Sequence, residues 1–322
     1  MAVPILLRNL HIAAAVIHLI SCVLSIWIHT DTITGKITLP HHKYMSDPDA
    51  TVKSLIVNST LTHETILYTH PMVWVAGNEG FTFFSHMIAL FLMRESINLD
   101  TFERLRRTIE YCFTAGILQV ALVLGVGSMA MYDVFMLLIV NVAIQLLGWL
   151  ADVTTDRTIV PYLHGIAFGL LVLEIFYVVL QSVNLDGIEP EPYIAMGIIY
   201  GIFYLLFGIV KLIPQWKRDE NEVYILMSVS SKVALSWILI GNTYEGLKEL
   251  NIKSEPFDHT ELPWREIQYV ISGICGAILL IGIPLIVNRP DEDGNSMDLN
   301  NVLEERGERM KRFKYNKINP IF

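Results

Sequence analysis

Long apolar runs separated by short polar connections form the dominant pattern of the chain. Eight of these runs are long enough to cross the hydrocarbon core of a bilayer, which takes about 20 helical residues. A segment in lipid must satisfy its own backbone hydrogen bonds, and an α-helix does so. The pattern therefore predicts eight transmembrane helices, at Leu10–Ile28, Trp74–Met93, Thr108–Ser128, Asp133–Leu150, Tyr162–Leu180, Tyr193–Ile213, Val223–Tyr244 and Ile267–Val287.

The placement of Lys and Arg between these runs predicts the orientation. With the N-terminus inside, sixteen of the 23 basic residues fall on the inner side and six fall on the outer side. The inner loops of membrane proteins carry the excess of Lys and Arg. We therefore expect a multi-pass protein surrounded by membrane lipid, with both termini inside and the plasma membrane as the favoured location.

The connections divide the chain into three parts. Residues 1–246 hold the first seven predicted helices, 247–288 hold an outer loop and the eighth helix, and 289–322 form a polar inner-side tail. Within the first part, the long outer loop 30–73 is compatible with a short β-ribbon. This loop also contains the sequon Asn58-Ser-Thr, so Asn58 is a candidate for glycosylation.

Composition narrows the possible functions. Hydrophobic residues make up 53% of the chain and charged residues only 17%, against about 25% charged in soluble proteins. The net charge of −9 argues against a nucleic-acid partner. All three cysteines lie in apolar runs, where they are expected as small core residues and not as metal ligands. No metal-ligand cluster, nucleotide-binding loop or nucleophile–base pair is found in the sequence, so we do not expect an enzyme.

Lys232 is the only Lys or Arg in the interior of a long apolar run, since Lys211 lies within three residues of the inner end of the sixth. A charged side chain at the centre of a bilayer costs about 2.5–3.5 kcal/mol on insertion scales, so a compensating interaction is required. A Schiff base to an aldehyde cofactor, with a carboxylate counterion nearby, provides one. Glu110, near the inner end of the third predicted helix, is the natural counterion.

Three arginines lie just before the third predicted helix, which carries Glu110. Arg107 lies three residues before Glu110, on the same helical face. It either holds Glu110 ionised or extends to the inner membrane surface. Arg104 and Arg106 are expected at that surface.

Several residues could surround a cofactor on Lys232. Ser228 lies one helical turn earlier on the same face, and its hydroxyl either contacts the Schiff base or bonds to its own backbone. Trp237 either forms a pocket wall or fills the core. The sixth predicted helix adds an aromatic stripe that either packs in the core or lines an elongated apolar pocket: Tyr200, Phe203, Tyr204 and Phe207.

Two histidines and three carboxylates in the predicted helices are candidates for proton transfer. His18 and His86 are either neutral, hydrogen-bonded core residues or proton acceptors, since imidazole titrates near neutral pH. Glu79, Glu174 and Glu191 lie toward the outer side, and a carboxylate inside a membrane is by default a candidate for a proton relay. Alternatively, Glu79 and Glu191 are hydrated at the interface and Glu174 is a protonated structural group.

Taken together, several motifs resemble the heliorhodopsins, which are retinal proteins with the N-terminus inside. The resemblance covers roughly Arg8 to Tyr244 and includes the long first outer loop. The motifs are Ser228-x-x-x-Lys232 continued through Leu235 and Trp237, Arg107-x-x-Glu110-Tyr111, and Asn141-x-x-Ile144-Gln-x-Leu-Gly148.

This resemblance implies an all-α, rhodopsin-like seven-helix membrane bundle, to which this chain adds an eighth predicted helix. It implies all-trans retinal bound covalently to Lys232, with Glu110 as counterion and Ser228 at the Schiff base. His18 and His86 would line an inner polar cavity. The remaining cofactor-binding candidates are Tyr111, Asn141, Ile144, Trp237 and the aromatic stripe of the sixth helix.

Three functions remain open from the sequence. Family members form homodimers, have slow photocycles and mostly move no ions, which favours a light sensor that acts on an inner-side partner. The additional membrane carboxylates allow a light-gated proton channel or transporter on the same scaffold. The third possibility is a transporter unrelated to retinal, in which Lys232 binds a substrate or forms an ion pair.

Overall fold

The computed structural model describes residues 5–27, 35–44, 59–93, 99–125, 128–156, 158–183, 191–212, 220–249 and 264–288. Within these ranges the protein is built from eight long helices and three short strands. The helices are α1 Ile5–Trp27, α2 Pro71–Leu92, α3 Leu99–Leu124, α4 Met131–Val153, α5 Val160–Val183, α6 Glu191–Leu212, α7 Glu220–Glu249 and α8 Trp264–Val287.

The all-helical membrane architecture predicted from the sequence is confirmed. Six of the described helices are long and apolar enough to cross a membrane, and α2 and α6 are the two that fall short. The mean hydropathy of α2 is lowered by polar residues that are buried inside the bundle, among them Asn78, Glu79 and His86. The apolar part of α6 is Met196–Val210.

Two helices extend beyond the apolar runs from which they were predicted. α3 begins at Leu99 and not at Thr108, and α7 covers Glu220–Glu249 and not Val223–Tyr244. The additional turns contain Glu, Arg and Leu, which are good helix formers even where the segment is polar. The extension of α3 matters for the site, because it adds Glu103 and Arg106 to the inner end of the helix.

The first seven helices form a closed ring. Each helix packs against the next one along the chain, and α1 closes the ring by packing against α7. α3 and α7 are the most buried of the membrane-crossing helices, and they also contact each other. α8 lies outside this ring against α7, with Leu279, Ile283 and Ile286 in one apolar cluster with Met227 of α7.

A three-stranded sheet lies at the outer ends of the helices, in the order β2-β1-β3. β1 (Gly35–Tyr44) and β2 (Ser59–Thr69) pair antiparallel, and β3 (Ser128–Ala130) pairs parallel with β1. β2 leads almost directly into α2, where His70 accepts a hydrogen bond from the backbone N–H of Met72 at 3.1 Å. Asn58 and the tail 289–322 lie outside the described residues.

The packing of α3 against α4 is close at Gly116. A Cβ atom at this position would lie 3.0 Å from Cδ2 and 3.3 Å from Cα of Leu138. One turn away along α3, the Asn141 side chain of α4 donates to the backbone carbonyls of Tyr111 at 2.7 Å and Cys112 at 3.0 Å. The small residue and the amide together fix how α4 lies beside α3.

We expect Gly116→Val to destabilise the protein by about 1–3 kcal/mol, since overpacking a close helix contact forces side chains and backbone to shift. The measurement is the thermal melting temperature of the detergent-purified protein. Gly273→Val is the matched control, because a Cβ atom at Gly273 on α8 meets no atom within 4 Å. Equal melting temperatures for the two variants would contradict the close α3–α4 contact.

Candidate functional site

Lys232 lies inside the helix ring, with 5% of its surface exposed. Its Nζ donates to Oε1 of Glu110 at 2.6 Å and to Oγ1 of Thr82 at 2.9 Å. The Tyr111 ring centroid is 5.1 Å from the same nitrogen. The structure therefore brings together the two charges that the sequence singled out, from α7 and α3, and adds a hydroxyl from α2.

The second oxygen of Glu110 is also fully engaged. Oε2 accepts from Ser85 Oγ at 2.7 Å and from Arg106 Nη1 at 2.5 Å. The prediction that Arg106 lies at the surface is wrong: the residue is buried and its guanidinium faces the site. Arg104 is exposed, as expected. The carboxylate of Glu110 is thus held between two cationic groups, one on each oxygen.

Arg107 does not serve as the partner of Glu110. Its guanidinium bonds Glu220 Oε1 at 2.8 Å and Asn221 Oδ1 at 3.3 Å, and it lies 4.0 Å from the Tyr224 ring centroid. All three partners belong to the first turns of α7. Arg107 therefore joins the inner ends of α3 and α7 near the site and does not hold the counterion.

Thr82 occupies the place that the sequence assigned to Ser228. Ser228 is buried on α7 one turn before Lys232, but the hydrogen bonds of the Lys232 amine go to Thr82 and Glu110. A signal for Thr82 was present in the sequence. Polar residues recur at helical spacing along one face of α2, and all of them are buried: Asn78, Glu79, Thr82, Ser85 and His86.

Glu79 lies inside the bundle and not at the membrane interface. It is fully buried, and its Oε2 is 2.5 Å from Nδ1 of His18. Its other oxygen accepts from Ser236 Oγ at 2.6 Å and from Asn78 Nδ2 at 3.1 Å. The interfacial alternative for Glu79 is therefore wrong, and Glu79 and His18 form a buried pair that links α1, α2 and α7.

His86 lies between two other histidines. Its ring is stacked on that of His18, with 5.8 Å between centroids, and its Nδ1 is 2.8 Å from Nδ1 of His11. His11, fully buried on α1, was missed from the sequence. It lies seven residues before His18, two turns along the same helical face, which is the signal that would have identified it. Nε2 of His11 is 3.4 Å from the Glu103 carboxylate.

A cavity of about 570 Å³ opens beside Lys232 and runs between α3, α4, α5 and α6. Its volume lies within the range of about 300–1,000 Å³ that is usual for small-molecule sites. The walls are mainly apolar and include Phe168 and Leu171 of α5. Several residues predicted from the sequence line it: Tyr111, Asn141, Ile144, Tyr204 and Phe207.

The other predicted aromatic residues lie away from the cavity. Tyr200 is fully buried, and its hydroxyl accepts from Gln119 Nε2 at 2.6 Å. Phe203 belongs to an apolar cluster with residues of α7 and α8. Trp237 faces α1, where its Nε1 donates to Ser21 Oγ at 3.4 Å. The stripe on α6 therefore divides, with only Tyr204 and Phe207 lining the cavity.

Glu174 lies apart from the Lys232 site, buried in the outer half of α5. The Gln119 amide faces its carboxyl, but without a well-formed hydrogen bond to either oxygen within the described ranges. Glu191 begins α6, and its side chain lies outside the described residues. Of the outer carboxylates, the structure thus gives Glu174 a buried environment without a cation bound to it among the residues it describes.

The arrangement fits an elongated apolar aldehyde. Lys232 lines the cavity, a carboxylate is in contact with its amine, and aromatic rings line the walls. A family model described as Heliorhodopsin matches residues 7–244. No curated protein matches the chain. The family match makes the protein a rhodopsin-type, retinal-binding membrane protein that crosses the membrane several times.

We expect Glu110→Gln to destabilise the retinal-free protein by about 3–5 kcal/mol, because the change leaves Lys232 and Arg106 buried without their shared anion. Glu220→Gln is the matched control. It removes one partner of Arg107 at the inner end, where Asn221 and the Tyr224 ring still contact the guanidinium, so we expect a smaller loss. Melting temperatures of the two retinal-free variants measure the difference, and a smaller loss for Glu110→Gln would contradict the pairing.

Proposed function

The chain belongs to the heliorhodopsin family, and we propose that it is a light sensor in which all-trans retinal forms a protonated Schiff base with Lys232. The observation that carries this proposal is the 2.6 Å contact of Glu110 with Lys232, which lines the cavity of about 570 Å³. A carboxylate in direct contact with the nitrogen stabilises a positive charge there. It therefore favours the protonated form of a Schiff base inside a low-dielectric bundle.

Bound retinal supplies a double bond that light can isomerise. The protein residues hold the reacting nitrogen and limit its movement. Glu110 stabilises the charge on the Lys232 nitrogen, and Thr82 accepts its second hydrogen bond in the retinal-free state. Tyr204 and Phe207 form part of the wall beside the polyene. Asn141, bonded to two carbonyls of α3, keeps that wall in register with Glu110.

The histidines offer sites near Lys232 that can hold a proton. Glu110, which accepts a hydrogen bond from the Lys232 amine, would be the first acceptor for a proton on that nitrogen. His86 lies on the inner side of this pair and contacts both His11 and His18. In a slow photocycle, a proton would stay on Glu110 or these histidines and then return to the nitrogen. No charge would then leave the bundle.

The sensory output is directed to the inner side. The excess of Lys and Arg in the inner segments supports this orientation, with both termini inside, and the plasma membrane is the expected location. An eighth crossing by α8, which packs on α7, would bring the chain after Asn288 to the side of the N-terminus, where an inner-side partner would act. A homodimer is the expected assembly, by analogy with the family.

We expect Lys232→Ala to abolish the visible absorption band that forms when all-trans retinal is added to the purified protein. Lys232→Arg is the matched control for charge: it keeps a cation beside Glu110 but cannot form a Schiff base. Borohydride reduction followed by mass spectrometry should find the retinyl group on Lys232 of the unchanged protein. If the unchanged protein folds but forms no visible band, the Schiff base proposal fails and a transporter independent of retinal is favoured.

A second function, light-gated proton conduction, is favoured by the row of titratable groups across the bundle. Glu79 and His18 lie toward the outer side, His86 and His11 follow inward, and Glu103 is at the inner end. Ionisable groups in a row inside a membrane protein are typical of proton pathways. Glu174, buried in the outer half, would extend such a pathway on the α5 side.

Proton conduction predicts a photocurrent that reverses near the proton equilibrium potential. We expect Glu174→Gln to reduce this current, since an amide cannot pass a proton on, and Asp156→Asn, an exposed control at the inner end of α4, to leave it unchanged. The measurement is whole-cell voltage clamp under illumination at two pH gradients. The absence of current in cells that contain the coloured protein would exclude conduction and leave the sensor function.

A further inference from the structure

Two charged residues near the site have no role in the light sensor proposed above. Arg106 and Glu103, in the first turns of α3, are 8% and 2% exposed. Burying a charge in a membrane protein costs several kcal/mol unless it is paired, so both charges require partners. Their positions are not required for helix formation, because Leu or Ala would serve that purpose at no electrostatic cost.

Arg106 joins the two carboxylates into one row of charges. Its Nη1 is 2.5 Å from Glu110 Oε2, and its Nη2 is 3.0 Å from Glu103 Oε2. With Lys232 at 2.6 Å from the other oxygen of Glu110, the charges alternate in sign from Lys232 to Glu103. The four formal charges sum to zero. The two middle charges, Glu110 and Arg106, are therefore each in contact with two groups of opposite charge. A change at one end of the row alters the electrostatic balance at the other end.

We propose that Arg106 and Glu103 are positioning residues that set how strongly Glu110 acts as the counterion of the Lys232 nitrogen. This inference rests on the proposed Schiff base at Lys232. Arg106 stabilises the ionised form of Glu110 and competes with Lys232 for its negative charge. Glu103 withdraws part of the charge of Arg106 toward the inner end and so limits that competition.

The geometry separates this role from simple packing. Arg106 Nη1 also donates to Ser85 Oγ at 2.8 Å, and Ser85 in turn donates to the same Glu110 oxygen. Arg106 therefore fixes both the charge and the donor arrangement at one side of the carboxylate. The opposite oxygen remains directed at Lys232, where the Schiff base would form.

The surrounding titratable groups come from four helices. From α7, Lys232 faces Glu110; from α2, His86 faces Glu110 and Glu79 faces Lys232. From α1, His11 faces Glu103, and on α3 itself Tyr111 faces Arg106. Among the described residues, Arg106 is the cation placed between Glu110 and Glu103. Removing it therefore takes positive charge away from Glu110.

The test is an acid titration of the visible absorption band in the full-length protein loaded with retinal. A carboxylate beside the Schiff base nitrogen holds the positive charge there, so its protonation shifts the band to longer wavelength. We expect Arg106→Gln to move the midpoint of this shift to higher pH by at least about one unit. Glu103→Gln should move it to lower pH, because all of the Arg106 charge then acts on Glu110.

Two further variants separate charge from structure. Arg104→Gln removes the same charge from an exposed position of the same helix, and it should leave the midpoint unchanged. Arg106→Lys keeps the charge, so its midpoint should stay close to that of the unchanged protein. This comparison holds even if Arg106→Gln folds poorly. A midpoint that moves in the same direction for Arg106→Gln and Glu103→Gln, or that moves equally for Arg104→Gln, would overturn the proposal.

A second readout needs no retinal. In the retinal-free protein, infrared spectra should show the protonated carboxyl band of Glu110, identified by its loss in Glu110→Gln, appearing at higher pH in Arg106→Gln than in the unchanged chain. An unchanged onset of this band would also overturn the inference. If the unchanged protein forms no visible band while the infrared shift is present, the Schiff base proposal fails and the charge coupling stands.

Discussion

The buried positive charge of Lys232 is the constraint on which the rest of the site depends. An amine at this depth needs an anion in contact, and Glu110 supplies it from the neighbouring helix. A carboxylate buried beside only one cation still has a second oxygen to satisfy, and Arg106 and Ser85 bond to that oxygen. Arg106 in turn requires Glu103. One unfavourable charge thus accounts for a row of polar residues that reaches the inner end of α3.

The pairing of Lys232 with Glu110 could be predicted because the sequence offers few candidates for either charge. Lys232 is the only Lys or Arg in the interior of the apolar runs, and helical rise places Glu110 at a compatible depth. The choice between Arg106 and Arg107 could not be made in this way. Both lie on the Glu110 face by spacing, and only the directions of α2 and α7 around α3 determine which one turns inward.

The same limit applies to the polar and aromatic faces of the other helices. Thr82 and His11 belong to stripes that the sequence contains, but their relevance follows from how α1 and α2 are rotated toward α7. On α6, helical spacing groups Tyr200, Tyr204 and Phe207, while the position of α5 decides where along the stripe a cavity opens. The helix boundaries, by contrast, extended further than the apolar runs because polar helix formers continue them into water.

The small sheet gives the bundle one fixed end. β2 leads into α2, and β3 lies between α3 and α4, so pairing of both strands with β1 ties the outer ends of three helices to one ladder. A rod held at one end moves most at the other, in proportion to its length of about 1.5 Å per residue. Any tilt of α2 or α3 that starts at Lys232 therefore pivots on the sheet, and its displacement grows toward the inner ends, where the first turns of α3 carry Glu103, Arg106 and Arg107.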